Sequence, residues 1–64
     1  MSEGPGFYLY KDTAGEFRWR LLAANNRIVA DSGEGYTTHQ ACEDAIQRIS
    51  QILADPRLHL HDEV

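Results

Sequence analysis

Residues 17–32 read FRWRLLAANNRIVADS, and this stretch combines an alternating pattern with a turn signal. Its first part alternates with a period of two, which is typical of a strand and excludes an amphipathic helix. Asn25 and Asn26 can then form a two-residue turn, because Asn tolerates left-handed backbone better than other non-glycine residues. The stretch therefore predicts two antiparallel strands. One face of the first strand carries Phe17, Trp19, Leu21 and Ala23, and the other face carries Arg18, Arg20 and Leu22.

This turn also sets the register of the hairpin. We expect Leu21 to face Ala30 on the apolar side, and Leu22 to face Val29 on the mixed side. On that mixed side Arg20 faces Asp31.

A further strand, GFYLYK, precedes this hairpin and joins it through a turn that begins at Asp12 and ends at Gly15. We favour a register with a bulge at this loop, which places Phe7 and Leu9 on the core side with Trp19 and Phe17. Tyr8 and Tyr10 then lie on the other face, with their hydroxyls in water. The register without a bulge buries the two tyrosines instead.

One helix is predicted over residues 37–55. Thr37 as N-cap with Gln40 forms a capping box, Tyr36 and Ala41 form a hydrophobic staple, and Asp55-Pro56 ends the helix. Apolar residues recur at three- and four-residue steps, as in a helix with one buried side. They are Ala41, Cys42, Ala45, Ile46, Ile49, Ile52 and Leu53.

These elements predict an α+β fold: a three-stranded antiparallel meander followed by one amphipathic helix, in the order β-β-β-α. We interpret residues 1–6 as a flexible lead and residues 7–55 as a single domain. Residues 56–64 are a solvated tail or a short strand in which Leu58 and Leu60 share a face.

Size and composition favour self-association. A chain of 64 residues has little core, and its single cysteine excludes an intrachain disulfide. The net charge of -4 repels polyanions. We expect no membrane span, because no apolar run approaches roughly 18 residues. The lone thiol and the absence of a signal pattern suggest the cytoplasm.

The run FxLYKDxAGEFRWRL at residues 7–21 resembles the YegP-like domains of unknown function, and the resemblance extends roughly to residue 52. The family commonly has Asn-Gly where this chain has Asn25-Asn26, and a lysine where it has His39. The resemblance implies a β-β-β-α unit that occurs as tandem copies or pairs with itself. This chain holds one copy and is therefore expected to form a homodimer. The family supplies no reaction, ligand or cofactor.

Arg and Tyr side chains make one candidate interaction face: Tyr8, Tyr10, Arg18 and Arg20. Such a face could stack bases and bind the phosphates of RNA or single-stranded nucleic acid. Equally, it could be part of the dimer interface, where Arg and Tyr are over-represented. The acidic net charge favours the second interpretation.

The remaining reactive residues do not form a recognisable active site. Cys42 lies on the apolar helix stripe and is expected to be buried and inert, so we predict no catalytic residue. His59, His61 and Asp62 are weak candidate metal ligands: the two imidazoles can share a side if the segment is extended, but no third ligand is expected to be held in an ordered element. We therefore expect no physiological metal and no cofactor. The prediction is a non-enzymatic homodimeric module with an unknown protein partner, and nucleic-acid binding is the alternative.

Overall fold

The computed structural model describes residues 4–64 and contains four strands and one helix in that range. The elements are β1 (Gly6–Lys11), β2 (Phe17–Leu22), β3 (Ile28–Asp31), α1 (His39–Leu53) and β4 (His59–Asp62). The sheet order is β3-β2-β1-β4, in which β4 is parallel to β1 and the other pairs are antiparallel. This confirms the α+β class and corrects the strand count: helix α1 brings the chain back, and the following segment adds a parallel strand.

β1 begins inside the predicted N-terminal lead. Of residues 1–6, the first three lie outside the described part of the chain, and Gly6 already pairs with both β2 and β4. A Cβ atom at Gly6 would overlap with the backbone carbonyl oxygen of His59. Glycine therefore allows the close approach of β4 to β1.

The first hairpin has the two faces that the bulged register predicts. Leu9 lies opposite Trp19 and Phe7 lies opposite Leu21. Gly15 has a φ of +82°, and its N–H donates to the carbonyl oxygen of Asp12 at 3.0 Å. A left-handed residue at this position is typical of a three-residue hairpin loop.

The second hairpin differs from the prediction in its loop. The N–H of Ala23 donates to the carbonyl oxygen of Arg27 at 2.9 Å, so the loop has three residues rather than two. Asn26 is the left-handed residue, with a φ of +66°.

This loop shifts the pairing by one residue, and a bulge in β3 shifts it back. Leu22 lies opposite Ile28 and Leu21 lies opposite Ala30, which leaves Val29 as an extra residue in the edge strand. The predicted pairing of Leu22 with Val29 is therefore wrong. The predicted opposition of Leu21 and Ala30 is confirmed, as is that of Arg20 and Asp31.

Helix α1 begins one residue later than the predicted capping box requires. Thr38 is the N-cap, and its hydroxyl oxygen accepts a hydrogen bond from the N–H of Ala41 at 3.1 Å. Gln40 instead donates to Asp44 at 2.9 Å. The helix ends at Leu53, before the predicted end at Asp55-Pro56, because Ala54 adopts a left-handed conformation and its N–H donates to the carbonyl oxygen of Ser50.

The core lies between the helix and one face of the sheet. It consists of Phe7, Leu9, Trp19, Cys42 and Ile46. The ring of Trp19 meets that of Phe7 edge-on at a centroid distance of 5.5 Å, which confirms the predicted core position of Trp19. Ile52 is 82% exposed and Leu53 is 46% exposed, so the last turn of the predicted apolar stripe is not part of the buried core.

A candidate interaction surface at the edge of the sheet

The candidate Arg/Tyr face lies on the side of the sheet away from the helix, and the structure divides it in two. Arg20 is exposed, and its guanidinium lies over the ring of Tyr10 at 4.3 Å from the centroid. Such a cation–π pair holds the Tyr10 ring and the Arg20 charge together. Tyr10 and Arg20 are therefore the accessible part of this face.

Arg18 is occupied by the hairpin loop. Its Nε–H donates to the carboxylate of Asp12 at 2.6 Å. The same carboxylate accepts hydrogen bonds from the N–H groups of Ala14 and Glu16, both at 2.9 Å. The hydrogen bond from Arg18 and the backbone N–H groups hold the pKa of Asp12 below its usual value of 3.8. Asp12 and Arg18 therefore hold the loop between β1 and β2 closed, which gives both side chains a structural role.

Tyr8 belongs to a buried layer, not to the accessible part of the face. Its side chain is 6% exposed and its hydroxyl donates to the carbonyl oxygen of Gly4 at 2.7 Å. The ring of His61 stacks on the Tyr8 ring at 4.2 Å, with 5° between the planes. The Tyr8 ring is therefore covered and cannot stack on a base. The expectation that its hydroxyl lies in water is wrong.

The three candidate metal ligands of the C-terminal segment point to opposite sides of the sheet. His61 is on the Tyr8 side, and strand alternation places His59 on that side too. Asp62 is on the helix side, where its carboxylate lies 2.7 Å from Nε2 of His39. Its hydrogen bonds from the backbone N–H of Val64 and from His39 lower the pKa of Asp62. Within residues 4–64 no group of three or more His, Cys, Asp or Glu residues can hold a metal ion.

β4 forms a regular, open edge. The N–H of Glu63 donates to the carbonyl oxygen of Leu9 at 2.9 Å, so the backbone groups of Glu63 point toward β1. In a strand these directions alternate, and the N–H and C=O groups of Leu60 and Asp62 therefore point outward. A strand that presents such groups in an extended line can pair with a further strand.

A groove of about 270 Å³ with a mixed apolar and polar lining runs beside this edge on the helix side. Phe7 and Ile46 are buried residues that line it, and Leu60, which is 39% exposed, lies at the edge itself. Its other lining residues are Gln47, Ser50, Gln51 and Leu58. The β4 edge thus combines open backbone groups with an exposed apolar side chain.

β3, the opposite edge, is different. Its extra residue Val29 interrupts the ladder, and Arg27 and Asp31 place charges around the exposed Ile28 and Val29. Bulges and charges are the features by which edge strands resist pairing. A second groove of about 330 Å³ lies near this end of the sheet, between Leu22, Val29 and Leu53.

The buried thiol of Cys42 does not form part of either edge. The residue is 0% exposed, and burial, with a smaller effect of the nearby Asp62 carboxylate, raises the pKa of the thiol. A raised pKa keeps the sulfur protonated, which is the inert form.

Helix α1, the one helix in residues 4–64, is not long and apolar enough to cross a membrane.

The profile of the domain of unknown function DUF1508 matches residues 12–57. The chain belongs to the DUF1508 family. A UPF0339 protein of Neisseria meningitidis is 50% identical over 48 residues, which are 75% of this chain and 84% of the relative. A UPF0339 protein of Stutzerimonas stutzeri is 37% identical over 49 residues, which are 77% of this chain but 43% of the relative. The resemblance to YegP-like domains is confirmed.

The fold is also seen in a solved structure. The solution structure of a protein from Haloferax volcanii is 33% identical, with a TM-score of 0.68, and the match covers 91% of this chain and 97% of that protein. DUF1508 is a domain of unknown function, and the surface features described above are the basis for a proposal. Residues 56–64 were predicted to be a solvated tail or a short strand, and the parallel pairing of this strand with β1 was not predicted. The alternation of Leu58 and Leu60 with His59 and His61 is the signal that indicates this strand.

Proposed function

We propose that this DUF1508 chain is a non-enzymatic homodimeric interaction module, and that two copies join along their β4 edges. The observation that carries the proposal is the open β4 edge, where outward backbone groups and Leu60 lie beside the groove over Phe7 and Ile46. Antiparallel pairing of β4 with the same strand of a second copy gives one continuous eight-stranded sheet.

Three further features support this assembly. A second copy covers Leu60 and the groove, which adds apolar contacts to a domain with only a small core. The bulged and charged β3 edge is the poorer of the two for pairing. The chain covers 43% of the length of the Stutzerimonas stutzeri relative, so that protein has room for two units. The buried, protonated thiol of Cys42 suits the reducing cytoplasm, where we place the module.

A pair of matched variants tests which edge joins the copies. Leu60→Asp places a charge at the proposed interface, and Val29→Asp places the same charge at the opposite edge, where the side chain is 61% exposed. We expect Leu60→Asp to be monomeric and Val29→Asp to remain dimeric in light scattering coupled to size exclusion. Circular dichroism and Trp19 fluorescence establish that both variants are folded. Dissociation by Val29→Asp alone contradicts the proposal.

Weak binding of RNA or single-stranded nucleic acid is a second candidate function. The pair of Arg20 and Tyr10 favours it, since an exposed guanidinium on an aromatic ring can contact both a phosphate and a base. Titration of a labelled oligonucleotide at two salt concentrations tests it. Saturable binding that weakens with salt and is lost in Arg20→Ala supports this candidate, and the absence of binding at about 100 μM removes it.

A further inference from the structure

The two histidines of β4 are candidate zinc ligands, but one chain supplies too few of them for a zinc site. His59 and His61 alternate with Leu60, so both side chains lie on the sheet face away from the helix. One chain supplies two of its three candidate ligands to this face, because the third candidate, Asp62, lies on the helix side, where it pairs with His39. A stable zinc site needs about four ligands. The set is therefore incomplete in one copy.

The proposed dimer completes it. In a β4 edge pair related by a two-fold axis normal to the sheet, residues that face each other must lie on the same side of the sheet. Centring the pair on Leu60 brings the two exposed leucine side chains together and uses their outward backbone groups. His59 then lies opposite His61 of the partner subunit, and His61 lies opposite His59 of the partner subunit.

The spacing of these pairs suits a metal ion. Leu60 forms the hydrogen-bonded pair at the axis, so each pair of histidines is of the closer, non-hydrogen-bonded type, with Cα atoms about 4.5 Å apart. Imidazole nitrogens bind zinc at about 2.0–2.1 Å, and a cluster of four imidazoles on one face can surround the ion tetrahedrally.

The contacts of His61 assign its ring nitrogens different roles. Its Nε2 lies 3.3 Å from the carbonyl oxygen of Pro5, and because a carbonyl oxygen only accepts, Nε2 carries the hydrogen. In the neutral ring the lone pair is therefore on Nδ1. A ligating histidine usually donates its other N–H to a carbonyl or carboxylate in this way. The stack on Tyr8 restricts the ring further.

We propose that the DUF1508 dimer binds one zinc ion on its two-fold axis, through His59 and His61 of both copies. This inference rests on the homodimer proposed above, since neither chain alone holds enough ligands. Zinc would then act as a second connection between the copies, on the sheet face opposite the Leu60 contact.

Titration of the intact chain with Zn²⁺ alone, followed by calorimetry, tests the site. We expect saturation at one ion for two chains, and loss of this binding in His59→Ala/His61→Ala. His39→Gln is the matched control, because it removes the remaining histidine on the helix side and should leave zinc binding unchanged. Leu60→Asp keeps both ligands but should bind zinc about 100-fold more weakly, since the second pair of ligands is no longer held close.

The oligomeric state in a chelator separates this inference from the proposed dimer. A dimer that persists in EDTA but binds no zinc, or binds one ion per chain, overturns the zinc site and leaves the homodimer intact. A chain that is monomeric both in EDTA and in zinc overturns both proposals. Zinc binding by Leu60→Asp with the affinity of the unsubstituted chain also overturns the shared site.

Discussion

Gly6→Ala tests whether the contact between β4 and β1 depends on a missing side chain. Gly6 has a φ of +142°, and its Cβ position overlaps with the carbonyl oxygen of His59 and lies 2.8 Å from the His59 nitrogen. Backbone strain of this kind costs about 1–3 kcal/mol for a non-glycine residue. Displacing β4 to remove the overlap breaks hydrogen bonds that contribute about 1 kcal/mol each.

Gly15→Ala is the matched control, because Gly15 also has a positive φ, of +82°, but no atom lies within 4 Å of its Cβ position. We expect a loss of unfolding free energy of about 3 kcal/mol or more for Gly6→Ala and of about 1–2 kcal/mol for Gly15→Ala. Urea unfolding measures both. Only Gly6→Ala should speed hydrogen exchange at the N–H of Glu63, which donates to Leu9. Equal losses of unfolding free energy and unchanged exchange would show that the contact between β4 and β1 does not depend on Gly6.

Three further perturbations examine the core, the second loop and the first loop. Trp19→Ala should lower the unfolding free energy by about 3–5 kcal/mol in urea. Trp19→Phe should lower it by less, because the Trp19 Nε1 is buried without a hydrogen-bond partner in the described residues and phenylalanine lacks this polar group. Red-shifted Trp19 emission would show that Trp19 is not in the core. At Asn26, where φ is +66°, valine should lower the melting temperature and glycine should leave it nearly unchanged, whereas equal melting temperatures would argue against the left-handed loop residue. The lowered pKa of Asp12 means that its contribution to stability is complete above the unfolded value of 3.8 and is lost as the pH falls through the lower folded value. Acid titration of Asp12→Asn should show a smaller fall in stability over that range, and an unchanged titration curve would argue against the Asp12–Arg18 pair.

Local patterns predicted the two faces of the sheet because those faces depend on alternation. Trp19 and Phe7 are buried together as expected, and Cys42 is buried on the helix. The errors concern positions where two alternative hydrogen-bonding arrangements are possible. Thr37 and Thr38 are adjacent candidates for the N-cap. The spacing of Gln40 indicated a capping box with Thr37, but the Gln40 side chain donates to Asp44 instead.

The candidate site depends on contacts between residues far apart in the chain, and these were harder to foresee. Tyr8 is buried because His61 and Gly4 lie against it, and neither contact follows from the alternation of β1. Arg18 was predicted to be available, but Asp12 in the neighbouring loop binds it. The sequence of residues 56–62 alternates as a strand does, yet its choice of β1 as a parallel neighbour requires the direction in which α1 returns the chain.

Sedimentation equilibrium of the unsubstituted chain in EDTA measures whether two copies associate without metal. We expect a reversible equilibrium between the 7.2 kDa chain and a species of twice that mass. The dimer fraction should rise with concentration over roughly 1 to 500 μM, and the melting temperature should rise with it, because folding and association are coupled. A folded 7.2 kDa monomer at every concentration in this range would contradict the account.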